Sequence, residues 1–150
     1  MQYGLKIICT SISVAKPMAL LPLPVLPDAA ATIGRVLLGA LFLVHGWPKI
    51  KNMKGPIVWV KSTGFPAGAT FVVLFTLLEF FGSIALILGF LVQVVAILFI
   101  LEMIATSIFS KTKLGKKYVL GYELDVVYLV LALVVALLGP GPWSLDAVLG

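Results

Sequence analysis

Three ionisable side chains occupy places where such groups are costly. Arg35 lies in the apolar run 29–47, and the 39 residues from Phe71 to Phe109 carry two formal charges, Glu79 and Glu102. Insertion scales give about 2.5 to 3.5 kcal/mol for such a group at a bilayer centre, so each needs a partner or a purpose. If Gly89 turns the chain, Glu79 about ten residues before it and Glu102 about twelve after it lie roughly 15–18 Å below one surface. Two carboxyls at one depth are not both ionised unless a cation lies between them. This is the pattern of a proton-accepting pair, suited to quinone chemistry, in which a headgroup exchanges protons with its electrons, or to a proton-coupled transporter. The plainer reading is an Arg35–Glu79 pair that sets helix register, with Glu102 neutral and hydrogen-bonded. Arg35 starts about 8 Å deep, and its long side chain is expected to extend toward Glu79.

A second group belongs to the opposite surface: His45, Lys49, Glu123 and Asp125. Glu123 and Asp125 are about 200° apart on a helix and cannot share a face. Asp125 falls in a seam with Tyr128, Ala132 and Ala136, at i, i+3, i+7 and i+11, and is expected to meet His45. A lone histidine at a helix end is more often an interfacial hydrogen-bonding group than a ligand. Gln93, Thr106, Ser107 and Ser110 read as interhelical hydrogen-bond formers.

The elements that must position these groups follow from composition. The chain has 150 residues, 61% hydrophobic and 11% charged, with mean hydropathy +1.17, which nearly excludes a water-soluble globular domain. The length suffices for about four membrane crossings and no second, soluble domain. One cysteine, Cys9, excludes an intrachain disulfide, a CxxC pair and a cysteine-ligated iron–sulfur cluster. One histidine excludes an in-chain bis-histidine haem, leaving a His/Met pair formally open, and zinc has too few ligands. The charge of +5 does not point to nucleic acid, because the lysines flank apolar runs.

The expected fold is therefore all-α: an antiparallel bundle of four transmembrane helices over 29–146, with an outer C-terminal turn and tail at 140–150. The first span, about 29–47, is closed by Trp47-Pro48. As one helix, Phe71 to Phe109 would measure about 58 Å against a hydrocarbon core of about 30 Å, so it folds back at Gly89 into spans of about 68–89 and 91–110. The fourth, about 120–139, ends at Gly-Pro-Gly-Pro. Eight of the eleven basic residues lie in the 48–67 and 111–119 loops. The positive-inside rule makes those loops cytoplasmic and both termini external in a plasma membrane. Within 48–67, Gly55-Pro56 starts a short helix expected to lie flat on the interface. Residues 1–28 read as a short surface helix leading into a Pro-rich strap, with a cleavable signal ending at Ser13-Val-Ala15 as the alternative.

Three motifs carry a family resemblance. Arg35, Gly39, Phe42, His45-Gly46 and Lys49 resemble the R…G..F…HG..K signature of the DoxX/DoxD family of small four-helix membrane proteins. Glu79, Gly82, Leu86 and Gly89 look like its E..G…L..G segment, and Gly139 to Asp146, GPGPWSLD, looks like its terminal GPG..SLD. The resemblance covers about residues 33–146 and implies a four-helix bundle associated with membrane redox systems. Its DoxD branch is the membrane subunit of a thiosulfate:quinone oxidoreductase, met alongside a terminal quinol oxidase, while other members attach to thiol- or superoxide-handling partners. Fold therefore transfers better than activity. Carried over by position, the motif set is Arg35, His45, Lys49, Glu79, Ser144 and Asp146, whereas Glu102 lies outside it. Asp146 is expected to fold back onto Arg35, which would then be shared with Glu79 as a clamp over the bundle mouth.

The leading expectation is a membrane subunit of a respiratory or sulfur-oxidising redox complex, its quinone pocket gated by Arg35, Glu79 and Glu102, with electrons entering from partner redox subunits. A non-catalytic assembly subunit is the alternative. A small-molecule carrier is the third, and it would require a helix broken near the midplane, for which Gly82 is the one hint. The scarcity of Gln and Asn (Gln2, Gln93 and Asn52) fits a thermophile, although apolar spans exclude those residues in any case.

Overall fold

The structure is a computed structural model, and it describes residues 26–64 and 68–150. The expected surface helix, signal site and strap at 1–25 lie outside the described residues. Among the described residues there are helices and no strand. Four helices are long and apolar enough to cross a membrane: α1 (Pro27–Lys51), α3 (Gly68–Leu88), α4 (Val92–Thr112) and α5 (Tyr118–Leu138). At 1.5 Å per residue they measure about 31 to 38 Å, matching the hydrocarbon core. Two short helices complete the described residues, α2 (Lys54–Ser62) and α6 (Leu145–Leu149).

Tight connections force the spans to alternate in direction. The α1–α3 and α4–α5 connections, with their lysines, therefore share one end, here called the lysine-rich end; the α3–α4 turn and α6 share the other, the turn end. The bundle closes because α4 packs against α5, and α1 against both α3 and α5. Its core joins Leu38 and Phe42 of α1, Leu86 of α3, Val95, Ala96 and Phe99 of α4, and Ala132 and Val135 of α5. Phe42 and Phe99 stack with ring centroids 3.8 Å apart. Ala132 and the partly buried Tyr128 and Ala136 show that the seam read on the fourth span does face the core. Outward-facing Leu37, Val44, Leu74, Leu101 and Leu137 are what a bilayer solvates, so the chain is a multi-pass membrane protein in contact with lipid.

Helix ends differ from the sequence reading in instructive ways. α1 begins at Pro27, a favoured first-turn residue, and runs through Pro48 to Lys51. The expected stop at Trp47-Pro48 fails because proline removes one N–H from a final turn that carries on without it. Lys49 consequently stays on the helical face of Gly46. The second and third spans meet at Gly89, whose φ of 76° suits glycine, and Leu91 joins it in the left-handed region at φ 50°. The α5 segment enters irregularly: Val119 is extended and Leu120 is left-handed before regular helix begins at Glu123. α2 is the short helix expected from Gly55-Pro56, beginning one residue earlier.

Candidate functional site

At the turn end, Arg35 is 2% exposed. Its guanidinium donates to Leu86 O at 2.9 Å, Ile87 O at 2.8 Å and Pro140 O at 3.0 Å, and also to Trp143 O. The side chain thus ties the last carbonyls of α3 to the Gly/Pro turn after α5, where a cation also complements the helix dipole. Asp146 caps the next helix: its two carboxylate oxygens accept from Leu91 N at 2.8 Å and Val92 N at 2.9 Å, and its own N–H donates to Gly89 O at 2.9 Å. Ser144 caps α6 by accepting from Ala147 N at 3.1 Å, and donates to Gly141 O at 2.6 Å. A Cβ on Gly89 would lie 2.5 Å from Ser144 Cβ, so the turn and the SLD segment interlock. The expectation that Arg35 reaches Glu79 is overturned. Its fork is spent on four carbonyls at the turn end; Asp146 does fold back near enough for its charge to act on Arg35 while its oxygens bond the α4 N-terminus, and Glu79 is out of the arrangement.

Glu79 and Glu102 sit near the middles of α3 and α4, as the residue counting required, and are 5% and 1% exposed. The cation beside Glu79 is Lys49, with Nζ 2.5 Å from Oε1. Two local features make this contact. Gly39 and Gly46, seven apart on one face of α1, let it approach α3: a Cβ on Gly46 would fall 2.9 Å from Phe80 N and 3.0 Å from Glu79 Cβ. Opposite Gly46, α3 contains a π-turn over Leu78–Gly82, an extra residue of the kind frequent at functional sites. The Ser83 hydroxyl donates to the Glu79 carbonyl within that turn. α3 is not broken at Gly82: the helix runs on through this π-turn, which carries Glu79.

Among the described residues the oxygens of Glu102 have no partner other than the facing Glu79 carboxyl, and Glu79 Oε2 and Thr76 Oγ1 are likewise buried without a donor. These groups line a pocket of about 480 Å³ opening between α2, α3 and α4, with walls that include Trp59, Val60, Phe71, Val72, Phe75 and Phe109. Trp59 packs edge-on to Phe109, with centroids 6.3 Å apart, so α2 forms the lip of the pocket. A smaller cavity of about 150 Å³ lies on the other side of the ion pair, lined by His45, Met103, Asp125 and Tyr128. Lys49, Glu79 and Thr106 face both.

Asp125 does lie close enough to His45 for their charges to interact, but the hydrogen bond goes one turn along: His45 Nε2 lies 3.1 Å from the Tyr128 hydroxyl. Asp125 shares their cavity. Of the polar groups read as interhelical, Gln93 does bridge helices, donating to Ala136 O at 3.3 Å. Thr106 bonds Met103 O of its own helix and also engages the Asp125 carboxyl of α5, and Ser107 Oγ is buried without a partner. Sequence reasoning missed Lys49 as the partner of Glu79, and Thr76 and Trp59 as pocket residues. The spacing Arg35, Leu38, Gly39, Phe42, Gly46, Lys49 held the signal, since it repeats every three or four residues straight through Pro48.

The chain is 30% identical over 112 residues, covering 75% of it and 81% of the relative, to the Bacillus subtilis protein named "Putative oxidoreductase CatD". It is 27% identical over 129 residues, 83% of this chain and 95% of the relative, to the Escherichia coli inner membrane protein YqjF. Inner membrane protein YphA of Escherichia coli is 25% identical over 125 residues, 76% and 86% of the two chains. No solved structure matches significantly. The DoxX family profile matches residues 30–111, which contain Arg35, the Gly39/Gly46 face, Lys49, Glu79 on its π-turn and Gly89: the chain belongs to the DoxX family.

Proposed function

We propose that this DoxX-family protein is the integral membrane subunit of a redox complex in the plasma membrane, and that its 480 Å³ pocket receives the headgroup of a quinone. One observation carries the reading: an aromatic and aliphatic pocket of ligand size ends on buried acid oxygens, Glu79 Oε2 and both oxygens of Glu102, that no described residue satisfies apart from the facing carboxyls themselves. Buried polar groups are normally paired, so such an end is built for a polar group on an apolar ligand. The kinship with a protein named as an oxidoreductase and the motif resemblance support the same direction. A quinone takes up two electrons and two protons on reduction to quinol, the electrons here coming from a partner subunit. This chain's residues bind and exchange protons: Lys49 holds Glu79 in place, Glu102 exchanges a proton at the closed end, and α2 shields the pocket from water. Handling of a sulfur donor, if the partner uses one, is then the partner's task.

The test is purification in mild detergent, solvent extraction and quantification of bound quinone and co-purifying subunits. Near-stoichiometric quinone with at least one redox subunit is expected, and Glu102→Leu, which removes the donor, should lower quinone retention about tenfold, the equivalent of one satisfied buried polar contact. A quinone-free protein without partner subunits would overturn the reading.

A further inference from the structure

The charge count at the closed end of the pocket points beyond an uncharged headgroup. Among the described residues lining it, two carboxyls, Glu79 and Glu102, face one base, Lys49. Lys49 is committed to Glu79 Oε1 at 2.5 Å, so Glu102, at 1% exposure and facing the Glu79 carboxyl, has no ion pair of its own among the described residues. A quinone carbonyl is only an acceptor: it meets Glu102 in its protonated form and cannot supply what the ionised carboxylate lacks. An ammonium supplies both a charge and donors. The walls are also suited to a cation, since Trp59, Phe71, Phe75 and Phe109 present aromatic surface, and ring faces attract cations. The π-turn places Glu79 at mid-depth on α3, opposite Glu102.

We infer that the pocket binds a second class of ligand, an apolar molecule bearing a single cationic amine, its ammonium on Glu102 and its apolar part against Trp59 and the phenylalanines. The pocket is about 480 Å³, which admits one or two fused aromatic rings with a short aminoalkyl arm. His45 and Asp125, in the smaller cavity behind the Lys49–Glu79 pair, do not line this pocket, so Glu102 is the anchor.

The probes are 1-naphthylmethylamine and its uncharged isostere 1-naphthylmethanol, titrated calorimetrically into the full chain in lipid nanodiscs, with empty nanodiscs subtracted. Both are donors of equal size, so their difference reads charge. The amine should bind about tenfold more tightly, about 1.4 kcal/mol. Glu102→Gln should remove that preference, and Glu102→Asp, which keeps the charge should Gln disturb folding, should retain it. Equal affinities of the two probes, or a preference that survives Glu102→Gln, would overturn the inference. Titrating a short-chain quinone in parallel separates the two readings. Amine preference without quinone binding leaves this inference standing and removes the proposed function; quinone binding without amine preference does the reverse.

Discussion

Replacing Arg35 with Met tests the division of the charges into a turn-end clamp and a mid-bundle site. The substitution keeps most of the aliphatic volume and removes four hydrogen bonds, to Leu86, Ile87, Pro140 and Trp143 carbonyls. A bond from a charged group is worth about 1.5 to 3 kcal/mol net when buried. One of the four is fully buried, that to Leu86, and the others are partly buried and able to find water. Counting about 2 kcal/mol for the first and less than 1 for each of the rest gives a loss of about 4 kcal/mol. Lysine, a single ammonium without the planar fork, should restore less than half of it. The assay is reversible unfolding in mixed micelles of dodecyl sulfate and a mild detergent, followed by circular dichroism. A double-mutant cycle with Glu79→Gln sharpens it. Sites without a shared contact should be additive within about 0.5 kcal/mol, whereas the Lys49→Met/Glu79→Gln cycle should show about 1 to 2 kcal/mol of coupling, below the range for a fully buried pair because Lys49 is 38% exposed. A loss under about 1 kcal/mol for Arg35→Met, or Arg35–Glu79 coupling as large as that of Lys49–Glu79, would refute the clamp.

Other perturbations have equally definite signs. Gly46→Ala places a Cβ 2.9 Å from Phe80 N and should cost about 1 to 3 kcal/mol in the same assay, with lowered quinone retention because α1 must back away from Glu79. Asp146→Ala removes two caps at the α4 N-terminus and should destabilise by about 2 kcal/mol. Leu91→Gly should stabilise by about 0.5 to 1 kcal/mol, because relief of a left-handed leucine at φ 50° outweighs glycine's greater chain entropy. In a Cys9→Ser background, a cysteine at position 115 should resist an impermeant maleimide applied to intact cells and react after lysis, as a cytoplasmic lysine-rich end requires. Reactivity from outside would invert the orientation.

The Pro48 and Arg35 misreadings share a cause. Proline's effect depends on whether the carbonyl it orphans has another resort, and in a last turn at an interface that cost is small. An arginine's partners depend on which carbonyls lie within its reach, and those at Leu86, Ile87, Pro140 and Trp143 are between 51 and 108 residues away in sequence. Residue types predicted that Arg35 needs satisfaction and was silent about whether acids or carbonyls supply it. The Tyr128 hydroxyl takes the hydrogen bond to His45 while Asp125 acts on it through charge alone for the same reason: both lie on the seam, and only packing sets which of two neighbouring rungs faces α1.

What the sequence determined alone is whatever one-dimensional patterns decide in lipid. Apolar runs of about 20 residues with Gly and Pro at their ends must form spanning helices, because the bilayer offers backbone groups no other partner. The depths of Glu79 and Glu102 follow from counting residues along a helix of fixed rise. What only the tertiary structure decided is azimuth and partnership. The π-turn over Leu78–Gly82 turns Glu79 toward α1. The bare face of Gly46 lets Lys49 reach it, and the packing of α2 over α3 and α4 turns two buried acids into the end of a pocket. Rotation about a helix axis and the choice between near-equal partners are fixed by close contacts between distant segments, which no local pattern encodes.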